Sequence, residues 1–177
     1  MSKLPLRRIS IGIDPGTYGG LAAIIEYPSA GNREPDVVWT TMPDSQREIY
    51  RWFGEFPMPS DQNQVAVCLE KVHSMPKMGV KAMFTFGQNF GMLKMAIEAY
   101  GRCTLEPDLV RPEVWQRELG LRLIKNETKT ARKERLRVLA SKKFKQLGIW
   151  KIPKTKGIQM KIADALLLSL YCQKTRS

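Results

Sequence analysis

The sequence predicts an α/β fold, a mixed five-stranded sheet with helices on both faces. Short apolar runs bounded by turn residues dominate the first part of the chain, as expected of β-strands. Apolar residues at helical spacing dominate the second half. The chain has 177 residues, a length that suits one compact domain. We therefore expect residues 1–177 to form a single domain in which helices pack on the sheet.

Five segments have the composition of β-strands. The first two are joined by a glycine-rich stretch at residues 14–20, which predicts a tight turn between them. The fourth is apolar on both faces, as in a central strand buried between helix layers, and it ends at Glu70. The predicted strands are residues 8–13, 21–27, 37–41, 65–69 and 103–110.

Five further segments have the signals of helices. The first begins at Asp44, a favourable N-cap residue, and the third has Pro112 near its start, where proline is tolerated. From Lys129 onward an apolar stripe at helical spacing predicts an amphipathic helix, and the last helix is nearly all apolar. The predicted helices are residues 44–53, 83–100, 111–120, 129 onward and 158–172, with loops at residues 57–63 and 148–157.

The charge balance favours a polyanionic partner. The chain has 29 Lys and Arg against 17 Asp and Glu, a formal net charge of +12, so nucleic acid is the first candidate. No apolar run approaches the ~20 residues of a membrane-spanning helix, and no signal-peptide core follows Met1. We therefore expect an intracellular protein without a membrane partner. Cys68, Cys103 and Cys172 are widely spaced, which argues against a disulfide framework and against a zinc site.

Three carboxylates lie where apolar side chains are expected. Asp14 ends the first strand, Glu70 ends the most buried strand, and Asp164 interrupts the apolar last helix. Burying a charged group costs roughly several kcal/mol of folding free energy unless a group of opposite charge compensates it. Salt bridges to Lys or Arg are one explanation for each acid. A shared cation explains all three, because Mg²⁺ and Mn²⁺ prefer carboxylate oxygens and retain positions for a phosphate.

The sequence around these acids adds a family resemblance. The motifs are IGIDPG at residues 11–16, LEKV at residues 69–72 and ADAL at residues 163–166. In order and spacing they resemble the acidic motifs of RuvC-like Holliday junction resolvases, and residues 75–91 and 110–115 favour phage-type and chloroplast-type members. The resemblance implies a ribonuclease H-like fold and a homodimeric crossover junction endodeoxyribonuclease. Such an enzyme hydrolyses phosphodiester bonds of four-way (Holliday) DNA junctions in recombination and repair.

The resemblance also implies a cofactor and a location. By it, Asp14, Glu70 and Asp164 are catalytic residues that bind two Mg²⁺ ions, for which Mn²⁺ can substitute. The expected location is cytoplasmic or nucleoid-associated, in a phage or bacterial host cell, with an organelle left open.

Basic residues between positions 122 and 145 predict a DNA-binding surface. Only Glu127 and Glu134 counterbalance the Lys and Arg residues of this segment. A solvated helix face is the alternative, but the excess exceeds what solubility requires and favours contact with the phosphate backbone. The resemblance implies a catalytic lysine at the start of this helix, for which Lys129 is the nearest match and Lys133 the second choice. The predicted DNA-binding residues are Lys77, Lys81, Arg111, Lys129, Arg132 and Lys133.

Two alternatives to a junction-cleaving enzyme stay open. Residues 12–17 also resemble the phosphate loop of actin-like ATPases and sugar kinases, although those proteins need roughly twice this length for two lobes. The other alternative is a junction-binding protein of the same fold that does not cleave. Related resolvases have an Asp three residues before the last acid or a His four residues before it. This chain has Lys161 and Met160 there, and neither is a Mg²⁺ ligand.

Overall fold

Five strands form one mixed sheet in the computed structural model. They are β1 (Arg7–Asp14), β2 (Gly20–Glu26), β3 (Asp36–Thr41), β4 (Asn63–Glu70) and β5 (Asp108–Val110). Their order in the sheet is β3-β2-β1-β4-β5. Strand β2 is antiparallel to β1 and β3, whereas β4 is parallel to β1 and β5. The structure describes residues 6–31, 33–61, 63–71, 79–102, 105–121, 124–146 and 153–176.

Helices cover both faces of this sheet, which confirms the predicted fold class. The helices of the described ranges are α1 (Gln46–Phe53), α2 (Val80–Tyr100), α3 (Pro112–Glu118), α4 (Lys129–Gln146) and α5 (Lys156–Arg176). One apolar cluster joins α1 and α2 to the sheet, and a second joins α3, α4 and α5 to the opposite face. Within those ranges, no helix has the length and apolar character needed to cross a bilayer.

Alternation along the central strands decides which face each side chain occupies. In β1, Ile9, Ile11 and Ile13 belong to the cluster with α1 and α2. Since successive side chains of a strand point to opposite faces, Gly12 and Asp14 lie on the face covered by α5. In β4 the same rule places Cys68 in the α5 cluster and Glu70 on the α5 side. Both strand-ending acids therefore lie on one face of the sheet.

Helix α5 packs directly on β1 at a glycine. A Cβ atom at Gly12 would overlap backbone atoms of Ala165 and Ser169 and would lie 2.7 Å from the carbonyl carbon of Leu168. Only glycine permits this close approach of helix and strand. Most of α5 is consequently buried, which explains its apolar sequence, and the contact fixes α5 beside the end of β1 that carries Asp14.

Some local predictions were wrong in detail. Ser45 rather than Asp44 caps α1, because the Ser45 hydroxyl accepts a hydrogen bond from the Glu48 amide at 3.3 Å. Strand β5 is shorter than predicted, and Pro107 just before it has no amide proton for a ladder hydrogen bond. Helix α5 extends beyond the predicted 158–172 at both ends, where polar residues give no apolar pattern.

Candidate metal centre

The three predicted acids come from three elements that meet at one edge of the sheet. Strands β1 and β4 are parallel, and Ile13 pairs with Leu69. Asp14 follows Ile13 and Glu70 follows Leu69, so the two acids lie side by side at the same edge. Helix α5 covers this face and carries Asp164. Each of the three residues is half-buried. The fold thus brings Asp14 and Asp164 to one site although 150 positions separate them in the chain.

Asp14 is held by the turn that follows β1. Its Oδ1 accepts a hydrogen bond from the Gly16 amide at 3.1 Å, and the Gly19 amide closes the turn by donating to the Gly16 carbonyl at 2.7 Å. A Cβ at Gly19 would lie 2.6 Å from the Asp14 carboxyl carbon, so only glycine fits there. Burial raises the pKa of Asp14, while the Gly16 amide and the charge of Lys133 oppose that rise.

Glu70 has a hydrogen-bond partner in α3, Trp115, which the sequence did not predict as a site residue. The Trp115 Nε1 donates to Glu70 Oε1 at 3.4 Å, and the Trp115 side chain is fully buried. Burial raises the pKa of Glu70 well above its ordinary value, and the charges of Asp14 and Asp164 raise it further. No motif in the chain signals Trp115 as a site residue. It reaches Glu70 because β5 pairs with the end of β4, at Glu70 and Val110, and α3 follows β5.

Asp164, in α5, is affected by burial and by a neighbouring carboxylate in the same way as Glu70. Burial raises its pKa to about 7, and the charge of Asp14 acts in the same direction. The positive charges of Lys133 and Arg132 lower it. The pKa values of Glu70 and Asp164 are thus both raised by the charge of another of these acids, as expected of acids that share one site.

Salt bridges do not account for these acids. Among the described residues, no Lys or Arg nitrogen forms a salt bridge with Asp14, Glu70 or Asp164. As the side chains are placed, no group of three or more His, Cys, Asp or Glu in that part of the chain is arranged to hold a metal ion. The donor set itself fits a hard cation, because all three residues are carboxylates, the ligands that such cations prefer, and burial raises the pKa of each.

The predicted basic residues occupy different positions relative to these acids. Lys129, the first residue of α4, is exposed, as are Lys81 and Arg111. Lys133 and Arg132 are half-buried, and their charges act on the acids. Lys133 rather than Lys129 is therefore the lysine whose charge acts on the candidate site, whereas the catalytic role of Lys129 stays a prediction. Lys77 lies outside the described residues.

Lys161 is exposed and lies at the rim of the site. Its Nζ is 5.9 Å from the ring centroid of Tyr18, an exposed residue of the turn after Asp14, which is a weak cation–π geometry. Met160 is half-buried. The α5 positions one turn before Asp164 thus supply no fourth carboxylate or imidazole, as the sequence indicated.

Comparison with known proteins gives a likeness at the level of the fold. The chain is similar to the structure of RuvC from Thermus thermophilus, with 16% sequence identity over 94% of this chain and 96% of that chain and a TM-score of 0.47. No protein-family model and no curated protein sequence matches the chain. A likeness of this degree concerns the fold alone, and the function has to be inferred from the residues of the site.

Loss of the Trp115 hydrogen bond should weaken metal binding. Trp115→Phe keeps an aromatic ring but removes the donor that holds Glu70, and loss of such a supporting contact typically lowers metal affinity or activity by about 10- to 100-fold. We expect the Mg²⁺ concentration for half-maximal thermal stabilisation to rise at least about tenfold. Magnesium titration of the thermal midpoint measures this.

Trp52→Phe is the matched control for that substitution. Trp52 is also a buried tryptophan, but its Nε1 has no hydrogen-bond partner among the described residues, and it lies in α1, in the apolar cluster on the opposite face of the sheet. Trp52→Phe should lower stability without changing the magnesium titration. An unchanged titration in Trp115→Phe would show that Trp115 does not position Glu70.

Proposed function

We propose that the protein is a metal-dependent endonuclease that binds four-way DNA junctions and resolves them by paired strand incision. The observation that carries this proposal is the cluster of Asp14, Glu70 and Asp164 at one sheet edge, with Lys133 and Arg132 beside it. Carboxylates without salt-bridge partners suit hard divalent cations, and neighbouring cations suit a phosphodiester.

In this proposal each residue has a defined task. Asp14, Glu70 and Asp164 hold Mg²⁺, or Mn²⁺ in its place. The chemistry that the bound cation supplies is activation of water and stabilisation of the leaving oxygen. Trp115 fixes the Glu70 carboxylate, and the turn after β1 fixes the Asp14 carboxylate. Lys133 adds positive charge beside Asp14 and Asp164.

Charge and motif resemblance support a DNA junction as substrate. The net charge of +12 favours a polyanion. Part of the basic segment is engaged within the protein, since Arg135 pairs with Glu127 at 2.7 Å and Arg137 with Glu134 at 2.7 Å. The exposed Lys129 and Lys142 are free of such ion pairs in the described structure and suit the phosphate backbone. The choice of four-way junctions rests on the resemblance of the three acidic motifs.

The decisive experiment uses a labelled four-way junction and a linear duplex of the same arm sequence. Each is incubated with the protein in Mg²⁺ and in Mn²⁺, and products from all four strands are mapped. We expect symmetric nicks in two opposing strands of the junction and little cutting of the duplex. Equal cutting of both substrates would support a nuclease without junction preference, and no cutting in either metal would contradict the proposal.

A homodimer should form, because paired incisions require two active sites related by the twofold symmetry of the junction. Helix α2 offers a surface for it: Val80, Phe84 and Met95 are 89%, 67% and 65% exposed, and Gly87 and Gly91 have open space around them. Such exposed apolar residues typically mark an interface. Sedimentation equilibrium should give twice the monomer mass, and a monomer at micromolar concentration, free and on DNA, would contradict paired incision.

The residue at position 161 should control metal affinity. With Lys161 in place of a fourth ligand, cleavage should need millimolar Mg²⁺ or prefer Mn²⁺. Lys161→Asp introduces a carboxylate one helical turn from Asp164 and removes a repelling charge. We expect the metal concentration for half-maximal cleavage to fall by on the order of tenfold and the rate to rise.

The same variant separates the enzyme from a binding-only protein. Lys161→Arg is the control, since it keeps the charge and adds no ligand. If wild type binds junctions tightly but leaves them intact at every metal concentration, while Lys161→Asp cuts them, the natural protein is a junction-binding protein of this fold. Unchanged metal dependence in Lys161→Asp would show that position 161 lies outside the site.

A further inference from the structure

Arg132 occupies a position in α4 where an apolar side chain is expected. The buried residues of this helix are Leu136, Ala140 and Phe144, which recur every four positions and face α5 and the sheet. Arg132 precedes Leu136 by four residues and so continues this buried stripe by one turn. Its guanidinium is therefore directed towards the core side of α4, and it is half-buried rather than exposed.

The guanidinium of Arg132 lacks the carboxylate partner that its neighbours have. Arg135 and Arg137 form ion pairs with Glu127 and Glu134. The Nε of Arg132 is buried and has no hydrogen-bond partner among the described residues. A buried donor without an acceptor costs about 1–3 kcal/mol, more for a charged group, so such groups call for an explanation. An anionic ligand that binds at the accessible part of this half-buried guanidinium would offset the cost through its charge.

The surroundings of Arg132 indicate which ligand fits. The buried stripe of α4 that Arg132 continues packs against α5, which carries Asp164, and the positive charge of Arg132 acts on Asp164 and Glu70. Arg132 therefore lies on the side of α4 that faces the candidate metal centre. It forms no salt bridge with either acid in the described structure, so its donors are not used by the carboxylates. The planar guanidinium matches two oxygens of a phosphate better than a lysine ammonium does. A phosphodiester next to the metal ligands therefore fits this side chain.

We propose that Arg132 is a catalytic residue that donates hydrogen bonds to a non-bridging oxygen of the scissile phosphate. This inference rests on the proposed nuclease function and assigns Arg132 a role distinct from general contact with the DNA backbone. In the hydrolysis, the bond from water oxygen to phosphorus forms as the bond from phosphorus to the leaving strand oxygen breaks. The water gives up one proton to the solvent, and the leaving oxygen takes up one proton from it. Arg132 keeps its proton throughout and stabilises the extra negative charge that develops on the phosphate oxygens.

Kinetics on pre-bound junctions provide the first test. Arg132→Gln removes the charge and the two-pronged donor and shortens the side chain, and loss of one such donor typically lowers the rate by about 10²- to 10³-fold. Arg132→Lys should recover part of this loss, because it restores the charge without the two-pronged geometry. Arg47→Gln is the matched control: it removes one positive charge from the exposed side of α1, on the opposite face of the sheet, and should change neither the affinity nor the single-turnover rate at saturation.

Binding to a modified junction tests the contact itself, without cleavage. A methylphosphonate at the mapped scissile position replaces one charged oxygen by a methyl group, and affinities are measured in Ca²⁺. Arg132→Gln should weaken binding to the ordinary junction by on the order of tenfold and leave affinity for the modified junction nearly unchanged. Lys142→Gln should weaken binding to both junctions equally.

The outcomes distinguish this inference from the proposed function. If wild type cuts junctions but Arg132→Gln weakens binding equally to both substrates, Arg132 is a backbone contact and the inference is wrong while the nuclease stands. If Arg132→Gln lowers the thermal midpoint, with cleavage at saturation unchanged, its role is structural and the inference is also wrong. If wild type cuts nothing in Mg²⁺ or Mn²⁺, both proposals fail.

Discussion

Replacing Asp14 by Asn should abolish junction cleavage while leaving junction binding intact. Asn keeps the shape of the side chain and the oxygen that accepts from the Gly16 amide, but it removes the charge that a divalent cation requires. We expect the single-turnover rate to fall by at least about 10³-fold. Affinity for the junction should stay within a few-fold or improve slightly, since one negative charge near the phosphates is removed.

Asp44→Asn is the control for that substitution. Asp44 is exposed and precedes α1, which packs on the face of the sheet opposite α5, so its neutralisation should change neither cleavage nor binding. Glu70→Gln and Asp164→Asn should each reproduce the loss seen for Asp14→Asn. Cleavage that persists at near wild-type rate in any of the three would remove that residue from the metal centre.

Without divalent cations, the protein should lose stability as the pH rises from about 4 to about 7. Burial raises the pKa of Asp164 from 3.8 to about 7, and it raises the pKa values of Asp14 and Glu70 in the same direction. Between the unfolded and folded pKa values the native state binds more protons than the unfolded chain, so the free energy of unfolding falls with rising pH.

The size of this effect makes it measurable. For Asp164 alone the shift corresponds to about 4 kcal/mol, or on the order of 10 °C in thermal midpoint. Thermal unfolding in EDTA at several pH values measures it. Mg²⁺ should restore more stability at pH 8 than at pH 5, because at pH 5 it has to displace protons from the carboxylates.

Asp164→Asn provides the internal comparison. The variant should be more stable than wild type at pH 8 in EDTA and should gain less from Mg²⁺. Asp44→Asn should follow the wild-type pH profile, because that side chain is exposed. A wild-type stability that is flat or rises between pH 4 and pH 7 would show that the acids are compensated in a way the structure does not contain.

These two predictions have one physical origin. Like-charged carboxylates gathered in a poorly hydrated site lower the stability of the fold, and no salt bridge in the described residues offsets this. Natural proteins retain such costly arrangements where function needs them. The pH dependence tests the energetic cost, and the Asn variants test the function.

The sequence by itself determined the fold class and the candidate acids. Apolar runs and helical stripes depend on local order, so they identify strands, helices and the buried face of each element. A carboxylate is not expected among apolar residues, so the sequence identifies such positions directly, as at Asp14, Glu70 and Asp164. The local exceptions were element ends, such as the cap at Ser45, where polar residues of similar propensity compete.

Only the tertiary structure decided which residues complete the site. Trp115 meets Glu70 because β5 pairs with the end of β4, and Arg132 and Lys133 approach the acids because α4 packs on α5. The family resemblance favoured Lys129, at the start of the helix, yet the charges that act on the acids are those of Arg132 and Lys133 in the next turn. Contacts of this kind depend on sheet register and on helix rotation, which are fixed by packing of the whole domain and leave no local pattern.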